Sequence, residues 1–386
     1  MVKGQDRVPE QLCSMVTQLT KDLDNKIDKV QAIYKFMQNS TRYVSIQLGI
    51  GGFRPASAQE VFQNGWGDCK ALVNYTKALL KIVGIDSYYC EIGIDYKSII
   101  HDSFPSPSQT NHVILAIPDG RDTLWLECTN SRLPFGYIPY SLQNQKVLWV
   151  DEANGTGRLV KTISPGPSFN KRDRVIDIDI DSSGNASGKM TTVVTGGELE
   201  WLFPEIWLAG QEKNDIILRK YNSPGFRLVG AEFFVDENSA YAKATEVIEF
   251  TVGNFASRTG SRIFLKSNLF PSISQAPAQK ANRINNVVTQ SSFCHTDTLY
   301  YRVPEGFAIE YLPKPCSLTS EYGTITMNFT SQNNNGHIIT ITRTISINKF
   351  NKQPEHYNPF IKFLTTATTT DYIILTNNPN SIPRIN

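Results

Sequence analysis

Cys69 is the residue of this sequence best suited to nucleophilic chemistry. It follows Gly65, Gly67 and Asp68 in the string GWGDCK, and it opens a predicted helix. The partial positive charge at a helix N-terminus favours a thiolate, and Lys70 adds a cation next to it. Asp68 opposes the thiolate electrostatically, but an aspartate at this position is expected to cap the helix. The glycines allow backbone N–H groups to approach a substrate closely.

A thiolate nucleophile needs a base beside it and a group that orients that base. His112 is the candidate base, because it begins a β-branched strand after a polar loop and is therefore held firmly yet reachable. Glu127 is the candidate orienting carboxylate. A tight turn at 118–120 would pair its strand with that of His112 and bring the two side chains together.

The elements that must position these residues form a predicted α+β region. Apolar residues recur at close to a 3.6-residue period from Pro9 to Met37 and from Cys69 to Val83, which predicts helices. Gly84 stands where a helix C-cap glycine belongs. Short strands are then predicted at 87–94, 112–117 and 123–128. Helices followed by consecutive strands are typical of the α+β class.

The rest of the chain is predicted to be mostly β. A segment rich in Gly, Ser, Thr and Pro at 155–167 marks the boundary between a first domain over 1–160 and a second over 161–386. The many Tyr and Phe residues of the second domain are interpreted as a sandwich core, with a carbohydrate platform as the alternative.

Asp177, Asp179 and Asp181 imitate the start of a calcium loop. The sixth position of such a loop would be Ser182 instead of Gly, and the twelfth would be Gly188 instead of Glu. A strand with solvent-facing carboxylates is therefore the preferred interpretation.

Length and composition exclude several classes of protein. The 386 residues are 40% hydrophobic and 19% charged, which indicates a folded chain of two or three domains and excludes a disordered one. A net charge of +2 does not suggest a nucleic-acid partner. No apolar run approaches the roughly 20 residues of a membrane span. The N-terminus lacks the apolar segment of a signal peptide, so either the protein is cytosolic or an export signal has been removed.

The cysteines do not point to a metal or a cofactor. The six are scattered and form no CxxC pair, so we predict neither a structural zinc site nor any cofactor. Their even number does not require disulfides in a chain of this size, and the redox compartment stays open.

Three strings, GWGDCKALVNYTKALLKIVGI, NHVILAI and LWLECT, resemble the transglutaminase-like superfamily of papain-like cysteine enzymes. The resemblance is direct over 43–129. It implies a papain-like core with helices packed on an antiparallel sheet, and it implies Cys69 as nucleophile, His112 as base and Glu127 as the third member. The superfamily usually has Asp where this chain has Glu127. Either carboxylate can fix the imidazole tautomer, although the longer side chain requires a different local geometry.

The whole chain is more loosely similar to the latter part of large exported Bacteroidetes proteins of this superfamily. Those proteins have a β domain before the core, which this chain would lack. The similarity implies a periplasmic or cell-envelope location.

An acyl-transfer site also needs hydrogen-bond donors for an oxyanion. We expect the backbone N–H of Cys69 and one donor from Tyr43 or Gln47, in a segment predicted to be extended over 43–48. Trp66 flanks the nucleophile, and it either lines the acyl-binding groove or is simply a buried aromatic residue.

Two functions are compatible with the sequence. In the first, Cys69 forms an acyl-thioester with an amide, peptide or protein substrate. Water or an amine then releases the acyl group, hydrolysis being preferred from the resemblance, and a peptide N-glycanase-like activity is a variant that no residue demands. In the second, Cys69, His112 and Glu127 are structural residues of an inactive scaffold. The β-rich domain would then bind protein or glycan at the cell envelope.

Overall fold

The protein is described by a computed structural model, which covers residues 3–94, 101, 103–104, 106–120, 122–236, 242–267, 269–332, 338–368 and 371–377. The chain forms two compact units. The first contains 1–164 and 237–242, and the second contains 165–236 and 243–386. The predicted domain limits of 1–160 and 161–386 stay a prediction.

The helices of the first unit follow the predicted periodicity with one interruption. They are α1 (Glu10–Thr20), α2 (Lys26–Ser40), α3 (Ala58–Asn64) and α4 (Cys69–Ile82). The helical pattern over 9–37 is divided because Asn25 caps α2, its side chain accepting a hydrogen bond from the N–H of Ile27 at 2.8 Å. Helix α3 was not expected from the sequence.

Two short strands, β1 (Arg42–Tyr43) and β2 (Trp66–Gly67), pair in parallel beside α4. The segment expected to be extended over 43–48 is thus a strand only at its beginning. Five longer strands form an antiparallel sheet in the order β5–β4–β3–β6–β7. They are β3 (Tyr88–Ile92), β4 (His112–Asp119), β5 (Asp122–Leu126), β6 (Lys146–Asp151) and β7 (Thr156–Lys161).

Helix α4 packs on this sheet through its apolar side. Leu72 and Leu79 belong to the same buried cluster as Val113 and Leu115 of β4. The helix and the strand that begin with Cys69 and His112 are therefore fixed against each other by the core. The boundary segment predicted at 155–167 is partly a strand, because β7 pairs along its whole length with β6.

The second unit is mostly β, as expected. Its strands are β8 (Lys171–Ile180), β9 (Ala186–Thr195), β10 (Phe226–Asp236), β11 (Lys243–Val252), β12 (Ser257–Thr259), β13 (Arg262–Lys266), β14 (Val287–Thr289), β15 (Phe293–Arg302), β16 (Ala308–Tyr311), β17 (Cys316–Ser320), β18 (Gly323–Gln332), β19 (Ile338–Ile347), β20 (Phe350–Lys352) and β21 (Tyr372–Thr376). Its helices are α5 (Phe203–Trp207), α6 (Gly210–Lys220) and α7 (Tyr357–Thr368).

An eight-stranded sheet and a four-stranded sheet share the core of this unit. Their orders are β10–β11–β9–β8–β15–β19–β18–β17 and β12–β13–β21–β16. Ile176 and Ile178 of the larger sheet lie in one buried cluster with Ile263 and Leu375 of the smaller. The expected fold class, an α+β core followed by a mostly β region, is confirmed.

Many aromatic residues of this unit are part of its core. Tyr221, Phe250 and Phe270 are buried, and their rings lie 5.0–5.6 Å apart around Phe270. Asp177 and Asp179 lie on β8 and each pairs with Arg302 at 3.3 Å, in agreement with the strand interpretation.

None of the helices described here combines the length and the apolar character that a membrane crossing requires.

Candidate active site

Cys69 is the first residue of α4, and Asp68 fixes where that helix begins. The Asp68 carboxylate accepts a hydrogen bond from the N–H of Ala71 at 3.0 Å, which is the expected cap. Lys70 forms an ion pair with the same carboxylate and is 6% exposed. The lysine expected to act on the thiolate is thus bound to the capping residue, because a buried carboxylate needs a partner. The N–H of Cys69 lies outside the helical ladder, as for any first helical residue.

Gly67 is required where β2 passes the first turn of α4. A Cβ atom at this position would lie 2.9 Å from the Cβ of Ala71 and 3.3 Å from Leu72. The absence of a side chain therefore lets the strand approach the helix directly before the nucleophile. Gly65 is required for a different reason, since it ends α3 with a φ of 67°.

His112 stands between Cys69 and Glu127. Its Nε2 lies 2.6 Å from Oε2 of Glu127, and the Cys69 side chain is near enough to the ring to help raise the pKa of His112. Because Nε2 is engaged by the carboxylate, Nδ1 is left for the sulfur. The structure thus brings together the three side chains that the sequence singled out. Cys69 and Glu127 are only 4% and 7% exposed.

Thr129 fixes the other oxygen of the Glu127 carboxylate. Its N–H and its hydroxyl donate to Oε1 at 2.8 and 2.6 Å. The Tyr34 hydroxyl of α2 donates to the backbone oxygen of Glu127 at 2.6 Å. Neither residue was predicted from the sequence to belong to the site. Thr129 could have been found from its place two positions after the candidate carboxylate, whereas Tyr34 looks like any apolar position of its helix.

The charges of the buried pair stabilise each other. Burial alone would lower the pKa of His112, but the charge of Glu127 and the hydrogen bonds to Cys69 and Glu127 outweigh it and raise that pKa to about 10. Burial alone would raise the pKa of Glu127, but His112 and Thr129 hold it below its ordinary value. An imidazolium beside a carboxylate is therefore the expected form at neutral pH.

The remaining predicted site residues lie on or beside β1 and β2, which lead to the nucleophile. Tyr43 pairs with Gly67 across the β1–β2 ladder, and its side chain is exposed. Gln47 is exposed, and Trp66 is half-buried in β2. Within the described part of the chain, none of these three side chains is hydrogen-bonded to Cys69, His112 or Glu127.

The first unit has two further buried cysteines. Cys90 and Cys128 lie in the cores of the first unit, and burial raises the pKa of each thiol. Such thiols are small apolar core residues with little thiolate character.

Two family models match parts of the chain. Residues 14–126 match the transglutaminase-like superfamily, and residues 261–376 match a domain family of unknown function with a solved structure, DUF3858. The resemblance of the first unit to the transglutaminase-like superfamily is thereby confirmed.

A solved structure has the same fold. It is the crystal structure of a protein from Parabacteroides distasonis that is described as a "putative protease". The match has a TM-score of 0.56 at 13% identity and covers 95% of this chain but 55% of that chain. This chain therefore spans little more than half the length of that protein. A comparison with curated proteins finds no match.

Proposed function

We propose that the first unit is a thiol enzyme that breaks an amide or peptide bond through an acyl-thioester on Cys69. The observation that carries the proposal is the arrangement in which His112 lies beside Cys69 and is hydrogen-bonded to Glu127, with Thr129 holding the carboxylate. Nucleophile, base and orienting acid stand in the order that thiol catalysis requires. The transglutaminase-like match over 14–126 supports the same chemistry.

The residues would act in two stages. In the first, the Cys69 sulfur forms a bond to the carbonyl carbon, and the carbonyl electrons move to the oxygen, where the Cys69 N–H can donate. His112 then gives its proton to the leaving nitrogen, the C–N bond breaks, and the acyl-thioester remains. Glu127 keeps the imidazole oriented throughout.

In the second stage an acceptor releases the acyl group. His112 takes a proton from the acceptor, the new bond forms at the carbonyl carbon, and the C–S bond breaks. Water as acceptor makes the protein an amidase or protease, and an amine makes it a transglutaminase. We propose hydrolysis of a peptide, protein or amide substrate, on the basis of family resemblance. The solved structure with the same fold is described as a "putative protease".

One observation favours the second candidate function, in which the first unit is an inactive scaffold. Cys69 is 4% exposed and belongs to the buried cluster of the first unit. Most buried cysteines are structural.

Acylation by p-nitrophenyl acetate separates the two functions. We expect the full chain to release p-nitrophenolate in a burst that leaves an acetyl group on Cys69. Cys69→Ala should abolish the burst, and Cys13→Ala should retain it, because Cys13 is a free cysteine outside the site. A burst of the same size from the wild-type chain and from Cys69→Ala would contradict the enzymatic function. The inactive scaffold would then be the remaining candidate.

A further inference from the structure

Exposed apolar side chains are concentrated beside the candidate nucleophile. Tyr43, Val44, Leu48, Ile50 and Phe53 are 43%, 36%, 87%, 67% and 54% exposed, and all lie within one short segment. Single exposed apolar residues are ordinary on a protein surface, but a cluster of large ones marks a binding surface.

This apolar segment, residues 43–53, is joined directly to the start of α4. The N–H of Val44 donates to the backbone oxygen of Gly67 at 2.9 Å, two residues before Cys69. A cavity of about 160 Å³ lies between the segment and the helix. It is lined by the apolar Ile46, Ile50 and Ala71 and also by the charged Arg54, Glu60 and Asp68. Asp68 and Ala71 stand on either side of Cys69 in the chain, and Cys69 itself does not line the cavity.

The backbone of the segment also suits an extended peptide. Arg42 and Val44 donate to backbone oxygens of 65 and 67, so their N–H groups face β2. Alternate residues of a strand point their backbone groups to opposite edges, and the N–H and C=O of Tyr43 therefore face away from β2. An extended substrate chain can pair there and lay its side chains against the apolar segment.

We propose that the apolar segment and its cavity form a subsite for a large apolar side chain of a peptide substrate, next to the bond that Cys69 attacks. This inference rests on the proposed function. It names the substrate class as peptides with an aliphatic or aromatic residue close to the scissile bond. Burying such a side chain against an apolar pocket gives roughly 10- to 200-fold discrimination.

The test compares two peptidyl electrophiles with one small electrophile on the full chain. The probes are acetyl-Leu-Gly and acetyl-Gly-Gly chloromethyl ketones, and iodoacetamide reports on the Cys69 thiol alone. We expect the Leu probe to modify Cys69 at least about ten-fold faster than the Gly probe. For each protein, the rate of modification by each peptidyl probe is divided by the rate of modification by iodoacetamide. By this ratio, the combined variant Leu48→Ser, Ile50→Ser, Phe53→Ser should show no preference for the Leu probe.

The matched control is Ile284→Ser, because Ile284 is 90% exposed and lies in the second unit. It should keep the full preference for Leu. Equal rates for the two peptidyl probes, with Cys69 still reactive toward iodoacetamide, would overturn the subsite and leave the proposed function intact. Failure of iodoacetamide to modify Cys69 would overturn both. A wild-type dimer that the triple variant converts to monomer would assign the segment to self-association instead.

Discussion

At the scale of single residues, Thr129 holds the Glu127 carboxylate in the position from which it can orient His112. A glutamate has one more rotatable bond than the usual aspartate, so its carboxylate must be held before it can orient an imidazole. Both donors of Thr129 bind Oε1 of Glu127, and Oε2 is left to face His112. Thr129 is therefore a positioning residue in the proposed mechanism.

Replacing Thr129 tests this role. Thr129→Val keeps the backbone donor but removes the hydroxyl that lies 2.6 Å from Oε1. A hydrogen bond to a charged group contributes about 1.5–3 kcal/mol, so we expect acylation by p-nitrophenyl acetate to slow by about ten- to a hundred-fold. Thr129→Ser should restore most of the rate, because it returns the hydroxyl. A Thr129→Val protein of unchanged rate would contradict the positioning role.

The pKa of His112 predicts a pH-dependent stability. Its folded pKa is raised to about 10, whereas the pKa of an unfolded histidine is about 6.5. Protonated His112 therefore stabilises the folded state. This contribution to the free energy of unfolding is complete below the unfolded pKa and is lost as pH rises through the folded pKa. We therefore expect the difference in Tm between the wild type and His112→Asn to shrink from pH 7 to pH 10. A difference that stays constant or grows over this range would contradict the imidazolium.

The sequence was sufficient to single out Cys69, His112 and Glu127, because each residue type stands at the start or end of a predictable element. It was not sufficient for Tyr34, which contacts Glu127 from 93 positions away in the chain. Nor could it show that Lys70 is bound to Asp68. Such partners depend on packing that no local pattern records.

At the scale of elements, the close passage of β2 against α4 positions the nucleophile. Gly67→Ala places a methyl group 2.9 Å from Ala71, so strand or helix must shift. We expect a loss of about 1–3 kcal/mol in the free energy of unfolding, typical of overpacking, together with slower acylation of Cys69.

The matched control for this substitution is Gly166→Ala. A Cβ atom at 166 would meet no atom within 4 Å, so we expect unchanged stability and acylation. Urea unfolding and the p-nitrophenyl acetate burst measure both effects. A Gly67→Ala protein as stable and as reactive as Gly166→Ala would contradict the importance of this contact.

Element prediction succeeded where the apolar pattern was clear and failed where local composition obscured it. Helix α4 and strand β4 follow clear apolar patterns. Helix α3 has only seven residues, although its capping box of Ser57 and Glu60 is a local signal that could have indicated it. Strand β7 was hidden by the Gly, Ser and Thr content around it, because its strand conformation depends on pairing with β6.

At the scale of the whole molecule, each of the two compact units has buried apolar clusters of its own. The second unit also contains a buried ion network, in which Arg174 and Arg343 each donate to Asp297 at 2.9 Å. Asp297 is 3% exposed. Burial alone would raise its pKa, but the arginines hold it below the ordinary value, so this stabilisation is lost only as pH falls through the folded pKa.

Separate cores predict separate unfolding transitions. Leu79→Ala leaves a cavity in the core of the first unit and should lower the free energy of unfolding of that unit by about 2–5 kcal/mol. Asp297→Ala leaves buried arginines unpaired and should lower the free energy of unfolding of the second unit by about 3–5 kcal/mol. Asp179→Ala is the control for charge removal, since Asp179 forms an exposed ion pair with Arg302. A single calorimetric transition that Leu79→Ala and Asp297→Ala shift equally would contradict independent cores.

The central claim is that His112 and Glu127 activate Cys69, and the rate of its alkylation by iodoacetamide at pH 6 tests this most directly. Mass spectrometry of the full chain can follow Cys69, Cys13 and Cys294 together. We predict that Cys69 reacts at least about ten-fold faster than the other two, because an imidazolium beside it stabilises the thiolate. His112→Asn should abolish the difference. A wild-type Cys69 that reacts no faster than Cys13 would contradict the account.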